Sequence, residues 1–212
     1  MYSLNAQSAR EADSSGAYLD KSGKYIGKFT RAEKLVSKKG NHGIGFTFQA
    51  ESKQTTKFDL WLINVDQVEL PAIKTLNAIL VCLRLKEIQP AKGKVERYDY
   101  DTKTNSVVDA EVFPDLMNES IGLVLRSTEY LKTQDGVYTG NSGWKLELVV
   151  PFDAESELTA SEILDRKTKP EKLEGIVSRL EDKPLKTQLP TASKVLTTHP
   201  PKSAPFDDDI PF

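Results

Sequence analysis

Three stretches in the first third of the 212-residue chain alternate apolar and polar residues, and this pattern constrains the fold more than any other feature. They are residues 24–33 (KYIGKFTRAE), 43–49 (GIGFTFQ) and 57–63 (KFDLWLI). Successive side chains of a strand point to opposite faces, so a period of two favours half-buried strands. Short polar connections separate the stretches, and Gly40 and Gly43 supply backbone freedom for the first turn. We therefore predict a three-stranded antiparallel meander.

The aromatic residues of these stretches divide between the two faces of the predicted sheet. Phe46 and Phe48 alternate with polar residues, and Phe58 stands in phase with Leu60, a pattern that favours a packed core. Trp61 lies on the face opposite to Phe58 and Leu60. It is therefore the better candidate for an aromatic side chain that remains available to a ligand.

A helix is predicted directly after the meander. Pro71 stands where a first-turn proline is tolerated, and apolar residues recur after it at helical spacing. Cys82 falls within this stretch, and we expect it to be a buried and unreactive thiol. The recurring apolar residues are Ile73, Leu76, Leu80 and Leu83.

A second group of strands and two short helices complete the predicted folded part. The motifs TASE (residues 159–162) and TKPE (residues 168–171) have capping-box spacing, in which Thr and Glu satisfy backbone N–H groups where a helix begins. Several short antiparallel strands with one intervening helix fit an OB-fold-like small β-barrel. The predicted fold class is therefore mainly β with accessory helices. The additional strands are predicted at residues 93–100, 106–113, 121–130 and 143–150.

The formal net charge is −2, but two segments of the sequence carry strong net charges of opposite sign. Residues 21–57 contain nine Lys or Arg and two Glu, a net charge of +7. Residues 107–171 contain thirteen Asp or Glu and six Lys or Arg, a net charge of −7. The composition excludes a uniformly basic protein, but the segregation predicts one electropositive face.

Several protein classes are disfavoured by simple counts. The single cysteine excludes an intrachain disulfide and a zinc cluster built from cysteines. The longest apolar run, near residues 77–85, is too short and interrupted to span a bilayer, and the first twenty residues lack the apolar core of a secretory signal. We expect a cytoplasmic protein that has no contact with a membrane and needs neither a metal nor a cofactor.

The composition changes after residue 180. Residues 181–206 are rich in Pro, Thr, Ser and Lys without periodicity, so we predict a disordered linker. Residues 207–212 form an acidic tip, DDDIPF. The predicted organisation is completed by a flexible segment (residues 1–22), the β domain (23–158) and a helical segment packed on it (159–180).

The tip has the chemistry of a docking peptide for another protein. The carboxylates of Asp207, Asp208 and Asp209 can pair with a basic rim on a partner. Ile210 and Phe212 can fill an apolar pocket, and Pro211 between them limits the entropy lost on binding.

The tip and its Pro-rich linker resemble the acidic C-terminal tip of bacterial single-stranded DNA-binding proteins, which recruits replication and repair proteins. The rest of the chain resembles a family of bacteriophage single-stranded DNA-binding proteins, long catalogued as a phage domain of unknown function. The matching stretches, within residues 23–180, are GKYIGKFTRAEKLVSKKG, GIGFTF, KFDLWLIN, EVFPDLMN and WKLELVVPFDAESELTASEIL. The resemblance implies sequence-independent binding of single-stranded DNA during phage replication or recombination in a bacterial cytoplasm. Sequence landmarks of the bacterial protein are absent, so its tetramer and binding mode are not carried over.

The basic segment contains the residue types that such binding needs. A groove for single strands combines cations for the phosphates with aromatic rings on which bases stack. The cations predicted to contact phosphates are Lys28, Arg31, Lys34, Lys38, Lys39, Lys53 and Lys57. The rings predicted to stack on bases are Trp61 and one or more of Tyr25, Phe29 and Trp144.

Three other functions are weighed against this one. An enzyme is disfavoured because the sequence lacks the Gly-Lys-Ser/Thr phosphate loop and no carboxylate spacing matches a metal-binding loop. A recombination annealing protein would also bind single strands but would promote pairing as an oligomeric ring. A protein-interaction adaptor would use the tip without any contact between its body and DNA. The sequence leaves open whether the chain forms a homodimer.

Overall fold

Seven antiparallel strands make up most of the computed structural model, which describes residues 18–99, 104–134 and 137–185. A 3-10 helix covers Pro114–Leu116. The helices are α1 (Ala72–Cys82), α2 (Ala160–Leu164) and α3 (Glu171–Val177). The strands are β1 (Gly23–Val36), β2 (His42–Ala50), β3 (Thr55–Ile63), β4 (Ala91–Asp99), β5 (Thr104–Val112), β6 (Ser120–Gln134) and β7 (Val137–Phe152).

The long strand β1 organises the sheet. It pairs with β2 over most of its length, and β3 pairs with the other edge of β2, which confirms the predicted meander. On its other edge β1 pairs first with β6 and then, at Glu33, with β5. The hairpin of β6 and β7 returns to contact β3, and α1 packs between β3 and β7. This mainly β arrangement with a few helices confirms the predicted class, an OB-fold-like small β-barrel.

Aromatic rings fill the centre of the barrel. Phe29, Phe46 and Phe48 are fully buried, and the ring centroids of Phe29 and Phe46 are 4.7 Å apart. Phe58 stacks on Phe46 with a centroid separation of 5.3 Å. The predicted core positions of Phe46, Phe48 and Phe58 are therefore confirmed.

The cysteine of α1 faces this core. Cys82 is buried, and desolvation, reinforced by the nearby Asp153 carboxylate, raises the pKa of its thiol to about 12. A thiol with so high a pKa stays protonated at neutral pH and is a poor nucleophile. The expectation of a buried cysteine is confirmed.

The accessory helices pack on the outside of the barrel around a second apolar cluster. Leu173 of α3 lies against Val124 and Phe152, and all three side chains are buried. The Glu162 carboxylate, which is 1% exposed, organises both helix starts. It accepts hydrogen bonds from the Thr159 backbone N–H at 2.9 Å and from the Lys172 backbone N–H at 2.8 Å.

The first predicted capping box is confirmed, and the second is wrong. Thr159 and Glu162 form the reciprocal pair at the start of α2. The helix α3 begins at Glu171 after Pro170, with no side-chain cap from Thr168. Its Lys172 N–H is instead satisfied by Glu162, so one buried carboxylate replaces the second box.

Residues at the inner margins of the two predicted flexible segments contact the β domain. Leu19 is buried, and its N–H donates to the Thr55 carbonyl at 2.9 Å. The backbone N–H of Lys183 donates to the Ser127 carbonyl at 2.8 Å. Leu19 and Lys183 are therefore attached to the β domain through backbone hydrogen bonds. The remainder of the predicted flexible segment and linker (residues 1–17 and 186–206) and the tip (207–212) lie outside the described residues.

Replacing Glu162 with Ala should lower the free energy of unfolding by about 1–3 kcal/mol, because two helix starts lose their acceptor. Desolvation would raise the pKa of Glu162, but the hydrogen bonds from Lys172 and Thr159 outweigh it and hold that pKa below its usual value. A lowered folded-state pKa stabilises the protein at neutral pH, and this contribution is lost as the pH falls through that pKa. The difference in the free energy of unfolding between wild type and Glu162→Ala should therefore become smaller below about pH 4.

Urea unfolding at several pH values measures this difference. Glu174→Ala, at an exposed position of α3, is the matched control and should change stability little. Equal losses for the two variants at neutral pH would contradict the assigned role of Glu162.

Candidate nucleic-acid interface

A β-bulge in β1 decides which of its side chains reach the outer face of the barrel. Phe29 pairs with Phe48 and Arg31 pairs with Thr47, so Thr30 is an extra residue in this strand. The Thr30 hydroxyl donates to the Thr47 carbonyl at 3.3 Å. The insertion shifts the alternation by one residue, and Arg31 thereby lies on the outer side of β1 instead of following Phe29 into the core.

The pairing of β1, β2 and β3 arranges the outer face in four rows, each crossing the three strands. Rows two residues apart along a strand are about 7 Å apart, so four rows span about 20 Å. The first two rows carry cations, the third carries two carboxylates and the fourth carries an aromatic ring. In order, the rows are Lys28 with Gln49 and Thr55, Arg31 with Thr47 and Lys57, Glu33 with Gly45 and Asp59, and Leu35 with Gly43 and Trp61.

Three lysines at one end of this face have no charged partner among the described residues. Lys28 and Lys57 are exposed on the first two rows, and Lys53 is exposed in the turn that joins β2 to β3. None of the three forms an ion pair with any residue of the described ranges. We call these three residues the free lysine cluster. Their charges are available to an anionic ligand.

The charges of two other cations that were predicted to contact phosphates are already neutralised by carboxylates. Glu33 is 1% exposed and binds Arg31 through one carboxylate oxygen, at 3.1 Å, and Arg97 through the other. Lys34 donates to Glu111 at 2.7 Å. A phosphate would have to compete with these carboxylates, so both cations are less available than the free lysine cluster.

The electrostatics of the third row follow from the same ion pairs. Desolvation raises the pKa of Asp59, the neighbouring Arg31 opposes this shift and Glu33 adds to it. Arg31 and Arg97 compensate Glu33, and Arg31 also acts electrostatically on Asp59. The acidic row therefore interrupts the basic face without reversing its charge.

The turn between β1 and β2 carries a second pair of free cations. Lys38 and Lys39 are exposed there, and neither forms an ion pair within residues 18–99, 104–134 and 137–185. This turn follows the fourth row, which contains Trp61. Lysines without an ion pair in the described part of the chain thus lie at both ends of the outer face.

Trp61 lies on the outer face, as predicted, and is half-buried. Its neighbour across the strands is Gly43, and a Cβ atom at that position would stand 2.9 Å from Cε3 of the indole ring. Because Gly43 has no side chain, the indole ring of Trp61 can lie close to the backbone of β2. Part of the indole remains exposed on the outer face.

The other predicted stacking residues are not on this face. Phe29 is fully buried in the aromatic core, so the prediction that it stacks on a base is wrong. Tyr25 lies on the core side of β1, and its hydroxyl donates to the Lys21 carbonyl at 2.8 Å. Trp144 is 51% exposed but belongs to the β6–β7 hairpin, where it pairs with Glu129.

Sequence reasoning missed the polar residues that stand between the cations. Gln49 and Thr47 occupy the outer positions of β2, between the lysines of β1 and β3. Their alternation with Phe46 and Phe48 was the signal that could have found them, because residues out of phase with a buried set must face outward. The tip residues Asp207 to Phe212 lie outside the described residues.

No protein-family model matches this chain, and no curated protein is similar enough to count as a relative. Within the described residues, no group of three or more His, Cys, Asp or Glu side chains could hold a metal ion. None of the helices in the same ranges is long and apolar enough to cross a membrane.

Proposed function

We propose that this protein binds single-stranded DNA without sequence preference and without catalysis, through the outer face of β1, β2 and β3. One observation carries the proposal: the free lysine cluster shares a face with the partly exposed ring of Trp61. Cations that follow the backbone and a ring that stacks on bases are the two requirements for binding single strands of any sequence.

The position of these residues in the fold supports the proposal. OB-folds bind oligonucleotides on the face of their second and third strands, and with the loops that join strands one to two and four to five of the barrel. Lys57 and Trp61 occupy that face here, and Lys38 and Lys39 occupy the first loop. The exposed Trp144 belongs to the hairpin that stands in the place of the second loop.

The acidic segment of the sequence does not oppose this use of the face. Several of its carboxylates stabilise the fold elsewhere: Glu162 holds two helix starts and Asp153 accepts the Ser156 N–H at 2.8 Å. Glu147 pairs with Lys145 at 3.2 Å. These three carboxylates therefore have local partners, while the free lysine cluster has none within the described ranges.

We extend the proposal to the biological setting that the sequence resemblance implies. The protein would protect single-stranded DNA during phage replication, recombination or repair, in the cytoplasm of a bacterial host. The tip, Asp207 to Phe212, would recruit replication or repair enzymes through its carboxylates and its terminal apolar residues.

The triple variant Lys28→Ala, Lys53→Ala, Lys57→Ala tests the DNA-binding proposal. Each phosphate contact on a single strand contributes about −0.7 to the slope of log affinity against log salt. The variant should bind labelled oligo(dT) at least roughly tenfold more weakly at low salt, with a slope about 2 shallower than that of wild type. Fluorescence anisotropy at several salt concentrations measures both quantities.

The matched control replaces three lysines whose ammonium groups already have a partner away from this face, Lys24, Lys167 and Lys172. It removes the same formal charge but leaves the outer face intact, so its salt slope should stay close to that of wild type. Equal slopes for the two triple variants would show that binding follows total charge, and would remove the basis for assigning this face.

Deletion of residues 207–212 separates the two proposed activities. The truncated protein should lose the capture of host replication or repair enzymes, because it lacks the docking peptide. Its affinity for oligo(dT) should be unchanged or higher, because an acidic peptide that competes for the cations has been removed. Pull-down and anisotropy on the same preparation measure both activities, and a large loss of DNA affinity would contradict the division of roles.

A further inference from the structure

A cavity opens beside the first row of the outer face, between the β2–β3 turn and the loop before β6. Its volume is about 270 Å³, below the range of about 300–1,000 Å³ that holds drug-sized ligands. It is therefore suited to a group no larger than a single nucleotide. Its lining includes Lys28, Gln49, Lys53 and Asn118.

Two residues of this lining have left-handed backbone conformations. Lys53 has φ of 65° and Asn118 has φ of 68°. Asn adopts this region comparatively often, but Lys does so rarely and at an energetic cost. Hydrogen bonds fix both conformations: the Lys53 N–H donates to the Ala50 carbonyl at 2.8 Å, and the Asn118 N–H donates to the Phe29 carbonyl at 2.9 Å. The two walls of the cavity are thus held in place before any ligand arrives.

The polar groups of the lining match the two parts of a nucleotide. Lys28 and Lys53, which belong to the free lysine cluster, can hold a phosphate. The side-chain amides of Gln49 and Asn118 form no hydrogen bond with another described residue, and an amide can donate to and accept from the edge of a base.

We infer that this cavity receives one nucleobase turned out of the bound strand, with Lys28 and Lys53 on its phosphate and Gln49 and Asn118 on its edge. The inference rests on the proposed binding of single-stranded DNA and adds a defined pocket to it. Bases of single strands are free to be splayed out and hydrogen-bonded in this way. The face would then hold the strand by two different means, stacking near Trp61 and insertion at the opposite end.

Nuclear magnetic resonance of the full chain tests the pocket with mononucleotides, which avoid the sliding of a long strand. Addition of dAMP should shift the side-chain amide signals of Gln49 and Asn118 saturably. Deoxyribose 5-phosphate, which lacks the base, should leave these signals in place. Equal shifts with both compounds would indicate a phosphate site only, and no shift with dAMP would also overturn the inference.

Two substitutions remove pocket groups without disturbing the backbone. Lys53→Gly and Asn118→Gly place glycine where φ is positive, so the fold should be retained or stabilised. Each should weaken dAMP binding about tenfold, as expected for the loss of one good polar contact. Arg166→Gly is the matched control, because Arg166 also has positive φ (55°) and lies beyond α2, away from the cavity. An equal loss of dAMP binding in the control would contradict the pocket.

Two measurements on the same preparation, oligo(dT) binding and the two side-chain amide signals, distinguish an error in the pocket from an error in the proposed function. If wild type binds oligo(dT) with the expected salt dependence while the two amide signals stay unchanged, the pocket alone is overturned. If wild type does not bind oligo(dT) at low salt, the proposed function is overturned, together with the assignment of the pocket to a bound strand.

Discussion

The register between β1 and β2, with its single bulge at Thr30, is the constraint on which the rest of the structure depends. It places Phe29 opposite Phe48 in the core and Arg31 opposite Thr47 on the outer face. A shift of one residue would reverse both assignments, since neighbouring side chains of a strand point to opposite sides. The aromatic core and the basic face are thus two consequences of one pairing.

Ion pairing then decides which cations can serve a ligand. The segment at residues 21–57 has a net charge of +7, but Arg31, Lys34 and Lys24 each bind a carboxylate. The free lysine cluster remains at one end of the face, and Lys38 and Lys39 remain at the other. The net charge of the chain is therefore a poor guide to its electrostatic face, which depends on partners brought together by folding.

The sequence predicted the meander, the core phenylalanines and the outward position of Trp61, because these follow from a period of two over short segments. It did not predict the bulge, since Thr30 itself carries no signal that a strand will gain a residue. It also could not show that Lys34 would pair with Glu111 or Glu33 with Arg97, which are 77 and 64 residues away along the chain. The second capping box failed for a related reason: Glu162, from another helix, already satisfies the start of α3.

The most direct test of the central claim is fluorescence titration of the Trp144→Phe variant with oligo(dT), because Trp61 is then the only tryptophan. A base that stacks on Trp61 should quench its emission saturably at low salt, and added salt should reverse the quenching as counterions return to the strand. An unchanged Trp61 emission at concentrations where labelled oligo(dT) is bound would place the strand elsewhere on the protein. It would contradict the assignment of the outer face of β1, β2 and β3.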